Sequence, residues 1–154
     1  MSTCRQRIVD AIVSRLKTLT VANGYSSDAG LNVYSWFPEN LAVDRVPILL
    51  VNDVSDTISD SGQGQTQHNL RLTLEGQLGG GTTMAVELRS LLGDLVAVLM
   101  GPSDRTLGGE CDTMDLQDGG TIQLEQRAED TVGAVSLSLG VTYRTQRGNW
   151  SVKI

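Results

Sequence analysis

The chain has 154 residues, of which 40 % are hydrophobic and 4 % aromatic, and its formal net charge is −6. This length suits a single domain with an aliphatic core, which excludes wholesale disorder. The acidic balance disfavours general binding to nucleic-acid phosphates. No apolar run approaches the roughly 20 residues of a membrane span, and the N-terminus lacks a signal-peptide core. We therefore expect synthesis in a cytoplasm, no membrane partner, and free thiols at Cys4 and Cys111.

An amphipathic helix is predicted at the N-terminus. Thr3 and Gln6 fit a capping box, in which the hydroxyl accepts from an early backbone N–H and the amide reaches back. The sequence "ANG" at 22–24 is predicted to end the helix, because glycine readily takes the left-handed conformation. The loop "TVANGYSSDAGL" at 20–31 has one acid and no base, so we interpret it as a turn and not a phosphate or metal site. The predicted buried stripe consists of Ile8, Val9, Ile12, Val13, Leu16 and Leu19.

Strands are predicted beyond this loop from apolar runs and from period-two alternation. Residues 55–67, "SDTISDSGQGQTQ", are polar and contain glycine, so they form either a flexible hairpin tip or an extended β-hairpin arm. Pro47 lacks an N–H and should begin a strand or lie on an edge. Residues 103–120 are predicted to be rich in loops. The predicted strands are 31–36, 46–54, 68–78, 121–127 and 132–145.

A second helix is predicted after "GGG" at 79–81, capped by Thr82 or Thr83 and ended by Gly101–Pro102. Helices do not alternate one-for-one with strands, so we expect an α+β fold: a mainly antiparallel β-sheet with two helices packed on one face. We expect one domain over residues 1–154, in which the tail 145–154 can serve as an interface arm. The predicted buried face of the second helix consists of Met84, Leu88, Leu91, Leu95 and Leu99.

Residues with catalytic or metal-binding chemistry form no recognisable motif. His68 is the only histidine, and we interpret it as a surface or strand-edge residue without a nucleophile at a telling spacing. Acidic residues at 112, 115 and 118 are spaced by three, whereas an EF-hand loop uses alternate positions and a distant glutamate. We interpret these residues, and those at 53, 56 and 60, as solvated acidic turns. We predict no catalytic, cofactor-binding or metal-binding residue, no cofactor, and no enzymatic activity.

The first half of the chain resembles a family of virion proteins in its local pattern. An amphipathic helix followed by "NGYSSDAGLNVYSW" at 23–36 and "RVPILLVND" at 45–53 resembles the tail terminator (tail-completion) proteins of long-tailed bacteriophages. The second helix and the paired C-terminal strands agree with the family in order only. Residues 55–67 cannot be matched to it residue by residue.

This resemblance implies a small α+β domain that assembles into a homohexameric ring on the tail tube. Such a ring terminates polymerisation of the tube and provides the joint to neck or head-completion proteins, with the tail sheath as a further partner if the tail is contractile. DNA passes through the lumen without specific binding. The implied location is the tail or neck region of a virion made in the host bacterial cytoplasm.

Subunits of a ring can join by strand addition at exposed edges, and two segments are candidates for this, 55–67 and 144–154. Trp150 either anchors an interface or folds back onto its own core. If the tail is an interface arm, deletion of residues 145–154 leaves the domain folded and impairs assembly. The predicted interface residues are Ile58, Gln63, Gln65, Arg144, Arg147, Trp150 and Lys153.

Two other functions remain open at this point. The protein can be another neck or tail-tube structural protein, because such parts share small α+β designs. It can also be a small ligand-binding or calcium-binding domain that uses the acidic segments 53–60 or 110–118. The absence of a catalytic motif in the sequence favours the structural interpretation.

Overall fold

The fold is given by a computed structural model that describes residues 2–36, 47–80, 83–127 and 130–154. Val46, Gly81 and Thr82, which belong to predictions made above, lie outside these described residues. Two short 3₁₀ helices, Val21–Asn23 and Ala29–Leu31, join the first helix to the first strand. In chain order the main elements are α1 (Cys4–Leu16), β1 (Val33–Ser35), β2 (Ile48–Gly62), β3 (Gln65–Gly79), α2 (Met84–Met100), β4 (Thr113–Leu116), β5 (Thr121–Arg127), β6 (Asp130–Gln146) and β7 (Asn149–Lys153).

The strands form one mixed, mostly antiparallel sheet, which confirms the predicted α+β class. β1 runs parallel to β2, and the other pairings are antiparallel. β3 lies between β2 and β6 and pairs with β6 over its whole length, from Gln65 opposite Gln146 to Gly79 opposite Val132. β7, β4 and β5 share the other edge of β6. β3 and β6 are therefore central. The short strands β4, β5 and β7 border β6, and the three-residue β1 borders part of β2.

The core lies between one face of this sheet and the two helices. The predicted face of α2 is buried throughout, as are the alternating leucines of β3 and the alternating apolar residues of β6. Two glycines let α2 approach closely: a Cβ added at Gly76 would lie 2.8 Å from a methyl of Leu91, and one at Gly133 would lie 2.5 Å from a methyl of Leu88. The helix therefore packs into gaps that these glycines leave in the sheet.

The first helix begins as predicted but ends earlier. The Thr3 hydroxyl accepts from the Gln6 N–H at 3.2 Å, whereas the Gln6 amide donates to Asp10 and does not complete a capping box. α1 ends at Leu16, so the prediction that "ANG" ends it was wrong. Gly24, with φ of +91°, instead ends the following 3₁₀ helix. Leu19 lies in the segment after α1 and is fully buried there. Its spacing from the helical stripe therefore predicted its burial correctly but not its secondary structure.

The loop at residues 20–31 is a turn held by hydrogen bonds and close packing within the chain. The Asp28 carboxylate accepts from the Val21 N–H at 2.9 Å, which uses the only acid of the loop. Gly30 lies against the end of α1, where an added Cβ would be 2.5 Å from the Leu16 carbonyl oxygen. Tyr25 packs partly against the core. These contacts explain the two glycines and the tyrosine without a ligand.

Several polar segments form strands, and of the two alternatives for residues 55–67 the β-hairpin is the one observed. Residues 55–67 continue β2 and β3, and β6 backs β3 as far as Gln65, so this segment is the end of a multi-stranded sheet. Residues 113–116 and 149–153, predicted as loop and tail, are strands that pair with β6. In contrast, the first predicted strand, 31–36, is reduced to Val33–Ser35. β4 and β7 are only four and five residues long, which is too short for a clear alternating pattern, and both are held by pairing with a long neighbouring strand.

Within the described residues, no helix is long and apolar enough to cross a membrane. Cys4 and Cys111 are both buried free thiols, as predicted. Burial raises the pKa of the Cys111 thiol to about 11, so this side chain is neutral and unreactive near pH 7.

Candidate functional site

The seven predicted interface residues lie on two hairpins that meet at one end of the sheet, which we call the tip. The β2–β3 turn is at Gly62–Gln65, and the β6–β7 turn is at Gln146–Asn149. Gln65 is directly opposite Gln146, and the Arg147 N–H donates to the Gly64 carbonyl at 2.7 Å. The fold therefore joins two segments that are about 80 residues apart in sequence. The tip comprises residues 57–68 and 143–154 and includes Ile58, Gln63, Gln65, Arg144, Arg147, Trp150 and Lys153.

A tight turn closes the first hairpin. Its two central residues, Gln63 and Gly64, have φ of +52° and +74°. Left-handed conformations at both positions match the twist of the flanking strands, which favours a compact two-residue connection. Gln63 is exposed at the apex, so its amide is available to a partner.

Apolar side chains are half-exposed at the tip. Ile58 is 52 % exposed and lies directly opposite His68 in the sheet register. Trp150 is 43 % exposed, and its ring meets the His68 imidazole edge-on with centroids 5.0 Å apart. Val152 and Ile154 follow at alternate positions and are also exposed. Trp150 therefore packs onto its own domain, which is one of the two alternatives considered above, and about half of its side chain also presents apolar surface to solvent.

The predicted interface cations are paired within the chain. Arg147 lies 2.7 Å from Asp60, and Arg144 lies 3.0 Å from Asp112, which Lys153 also approaches at 3.9 Å. A hydrogen bond from the Gly62 N–H, and then the Arg147 guanidinium, lower the pKa of the Asp60 carboxyl. The Arg147–Asp60 pair joins the two hairpins on their exposed surface.

His68 is the centre of a buried polar network, so its interpretation as a surface or strand-edge residue was wrong. Its side chain is fully buried. The ring nitrogen Nδ1 lies 3.0 Å from Asp56 Oδ2, and Nε2 lies 2.9 Å from the Thr145 hydroxyl. The Tyr143 hydroxyl donates to the same Asp56 oxygen at 2.6 Å, and its ring stacks on the imidazole with centroids 4.3 Å apart. This network ties β2, β3 and β6 together at the inner end of the tip.

One signal in the sequence could have found this network. His68 is in phase with Leu70, Leu72 and Leu74, which face the core. A polar residue in phase with a buried face needs buried polar partners. The partners themselves could not be found, because Asp56 and Thr145 lie on other strands, and β2 contains a register shift between Asp53 and Ser55.

The chain of Asp56, His68 and Thr145 has the connectivity of a carboxylate–imidazole–hydroxyl relay. Thr145 is fully buried, so a substrate has no access to its oxygen. Burial, and then the hydrogen bond to Asp56, raise the pKa of the Tyr143 phenol well above its usual value. The chemistry of the cluster is therefore that of buried hydrogen bonds between neighbouring strands.

The acidic segments are occupied by contacts within the chain. Their interpretation as solvated turns was wrong for Asp53 and Asp56, which lie in β2 with side chains that are 17 % and 4 % exposed. Asp115 pairs with Arg105 at 3.2 Å, and Asp118 accepts from the Gly120 N–H at 3.0 Å. Asp53 accepts from Arg5 and from the Trp36 indole N–H at 2.8 Å. Across the ranges that the structure describes, no three His, Cys, Asp or Glu side chains come together as a metal site.

The helix-free face of the sheet carries a polar groove. It has a volume of about 380 Å³ and is lined by Ser55, Asn69, Arg71, Asp115 and Thr142, among others. It lacks the apolar lining typical of small-molecule pockets. We therefore take the tip, and not this groove, as the candidate functional site.

Comparison with known proteins assigns no family. No protein-family model matches the chain. No curated protein matches it either. The function is therefore inferred from the sequence pattern and from the geometry of the tip.

Proposed function

We propose that the protein is a structural virion component, a tail terminator that forms a homohexameric ring on the tail tube of a long-tailed phage. In this proposal the ring stops polymerisation of the tube and provides the joint to the neck or head-completion proteins. The tail sheath is a further partner in a contractile tail. DNA passes through the lumen without specific binding, which agrees with the formal net charge of −6.

The observation that carries this proposal is the composition of the tip. Two hairpins present half-exposed Ile58 and Trp150 beside exposed ion pairs. Apolar anchors with a charged rim are typical of protein–protein contacts. Small-molecule sites are instead enclosed, whereas the tip consists of two turns and the strand ends beside them.

Strand edges near the tip offer a second means of association. Among the described residues, β1 pairs with β2 only at Leu49–Val51. Within the part of the chain that the structure describes, no strand pairs with the outer edge of β2 at residues 55–62, so backbone donors and acceptors are presented there. A contact between two different surfaces of one chain is heterologous, and it closes into a ring when the rotation between subunits allows.

A calcium-binding domain is the alternative from a different class. The acidic segments favour it only by composition, because the carboxylates described above already accept from arginines and backbone N–H groups. Another neck or tail-tube protein is a closer alternative, and the genes that flank this one would separate it from a terminator.

The size of the purified protein tests the proposal. Mass photometry and negative-stain imaging over a range of concentrations should show rings of about six subunits, with no metal by elemental analysis. A monodisperse monomer that binds calcium tightly would contradict the proposal. Neighbouring genes for a tail-tube and a head-completion protein would support it.

A pair of matched variants tests the role of the tip. Ile58→Glu places a charge on the proposed contact, whereas Val86→Glu places the same charge on α2 at a site of similar exposure, 61 % against 52 %. We expect Ile58→Glu to abolish rings while leaving the unfolding midpoint unchanged, and Val86→Glu to leave both unchanged. Equal ring formation by the two variants would remove the tip from the interface.

A further inference from the structure

β2 changes its character at a β-bulge. Asp53 is opposite Leu72 and Ser55 is opposite Arg71, so Val54 is the extra residue. Before the bulge, Leu49 and Val51 are buried and the strand is apolar. After it, residues 55–62 read "SDTISDSG", with one large apolar side chain, Ile58, that is 52 % exposed.

The hydrophobic pattern therefore sets the register of β2 only up to the bulge. A slip of one residue moves every side chain of a strand to the other face, and this slip is opposed strongly only where one face is apolar. If Val54 were drawn into the ladder, residues 55, 57 and 59 would face the helices in place of 56, 58 and 60. Burial of apolar surface alone distinguishes these two arrangements weakly, because Ile58 is half-exposed in the observed one.

The buried polar network distinguishes the two arrangements strongly. With the bulge at Val54, Asp56 faces the helices opposite Leu70 and reaches His68 and Tyr143. In the slipped arrangement a serine would take the place of Asp56, and the carboxylate would turn to the other face. His68 and Tyr143 would then be left in the interior without this acceptor, which is costly for buried groups.

We propose that the network of Asp56, His68, Tyr143 and Thr145 is a register lock that holds the bulge of β2 at Val54. The lock places Ile58 on the helix side of the sheet, opposite His68 and therefore beside Trp150. The four residues are thus positioning residues for the apolar surface of the tip. The importance of this surface for assembly rests on the proposed function, whereas the lock itself does not.

Cysteine pairs report the register directly. Ser59→Cys with Gln67→Cys joins positions that are opposite each other in the observed ladder. Ser59→Cys with Thr66→Cys joins positions that would be opposite in the slipped ladder, and these now point to opposite faces. The native cysteines are buried, so oxidation should be confined to the introduced pair. We expect the first pair alone to form a disulfide in the otherwise unchanged chain.

Substitutions of Asp56, introduced together with each cysteine pair, then test the lock. Asp56→Ala should lower the ratio of the first disulfide to the second by about tenfold or more, because the buried His68 and Tyr143 lose their shared hydrogen-bond acceptor. Asp56→Asn, which retains an acceptor oxygen, should largely restore the ratio. The matched control is Asp115→Ala, because Asp115 lies on β4 away from the tip with a side chain that is 55 % exposed, and the ratio should not change.

Circular dichroism identifies any variant that does not fold. Should Asp56→Ala be unfolded, Thr145→Val decides the question, because it removes the partner of His68 Nε2 while preserving side-chain shape. This variant should shift the disulfide ratio in the same direction by a smaller factor. An unchanged ratio in every folded variant of the network would overturn the proposal. NMR of the only histidine adds a second reading: one imidazole signal should become two when the lock is removed.

Ring formation is measured on the same variants. Loss of rings together with a shifted ratio supports the positioning role, whereas a shifted ratio with undiminished rings overturns it. If the unchanged chain forms no ring under any condition, the proposed function fails, and the disulfide ratios still decide whether the lock exists.

Discussion

The two halves of the long strands are held by different forces. At the base, β3 and β6 face α2 with leucines and valines, and Gly76 and Gly133 leave the space into which the helix packs. At the tip, the same two strands place His68 and Thr145 on that face, and hydrogen bonds replace apolar contacts. Each of these strands is therefore held by close apolar packing at one end and by buried hydrogen bonds at the other.

This difference has a physical consequence for specificity. Apolar side chains of similar size can exchange places at modest cost, so a leucine ladder alone tolerates many arrangements. A buried acceptor and its donors fit together in few arrangements, because each unpaired group is costly. The base can thus supply most of the stability, while the tip selects the alignment of the strands. The predictions below separate these two contributions.

Removal of residues 145–154 should cause the largest effect. The deletion takes away the Thr145 partner of His68, the Trp150 ring that covers it, and the Ser151 carbonyl that accepts from Arg7 at 3.2 Å. We expect the free energy of unfolding to fall by more than about 3 kcal/mol, because a buried polar group and apolar surface are both uncovered. Urea denaturation measures this loss.

This outcome reverses the expectation from sequence that the tail can be removed without loss of the fold. A chain that lacks only Ile154 is the control and should unfold close to the full chain, because the pairing of Thr145 with Lys153 is retained. An unchanged midpoint in the longer deletion would show that the tail is an interface arm independent of the core.

Leu137→Ala tests the base. The side chain is fully buried in the core cluster, opposite Leu74. We expect a loss of about 3 kcal/mol from the cavity that remains, without any change in strand register. Leu124→Ala on the exposed side of β5, where the side chain is 58 % exposed, is the control and should change little. A smaller loss at Leu137 than at Leu124 would contradict this account of the base.

The base was largely predictable from the sequence and the tip was not. The alternation of Leu70, Leu72 and Leu74 and the stripe of α2 fixed the fold class, because these patterns repeat with the period of their element. The interface residues could be named but not grouped, because only strand pairing brings Ile58 and Trp150 together. No local pattern encodes a pairing across about 80 residues.

The same limit explains the remaining errors. α1 was predicted to continue beyond Leu16, because Leu19 has the spacing of the helical stripe. Leu19 is buried, but it lies in the turn that follows the helix. β7 was predicted as part of a tail that can serve as an interface arm, because a five-residue segment is too short to give a strong strand signal of its own. In both cases the neighbouring structure, and not the local sequence, decides the conformation.

Tyr143→Phe should have an intermediate effect, and one that depends on pH. The variant loses the hydrogen bond to Asp56 but keeps the ring stacked on His68, so we expect a loss of about 1–2 kcal/mol at pH 7. Burial and the Asp56 contact raise the pKa of this phenol in the folded chain. Its stabilising contribution is therefore complete below the unfolded-state pKa of about 10 and declines as the pH rises further, because only the unfolded chain then releases the proton.

Urea unfolding between about pH 8 and pH 11 checks the sign of this effect. Above about pH 10 the original chain should lose up to about 1.4 kcal/mol per pH unit more than the variant does. Parallel curves for the two proteins would indicate that the Tyr143 hydroxyl is exposed to solvent in the folded state.

Arg147→Gln should have the smallest effect on stability and a clear effect on assembly. Arg147 and Asp60 are 57 % and 67 % exposed, so solvent and salt screen their attraction. The matched control is Arg105→Gln, because Arg105 pairs with Asp115 at nearly the same exposure, 57 % and 55 %, away from the tip. Both variants should unfold at the midpoint of the original chain, whereas only Arg147→Gln should reduce the fraction of protein in rings. If the two variants assemble equally well, the contact is limited to the apolar residues of the tip. Loss of a charge at the proposed rim would then affect assembly no more than the same loss elsewhere on the surface.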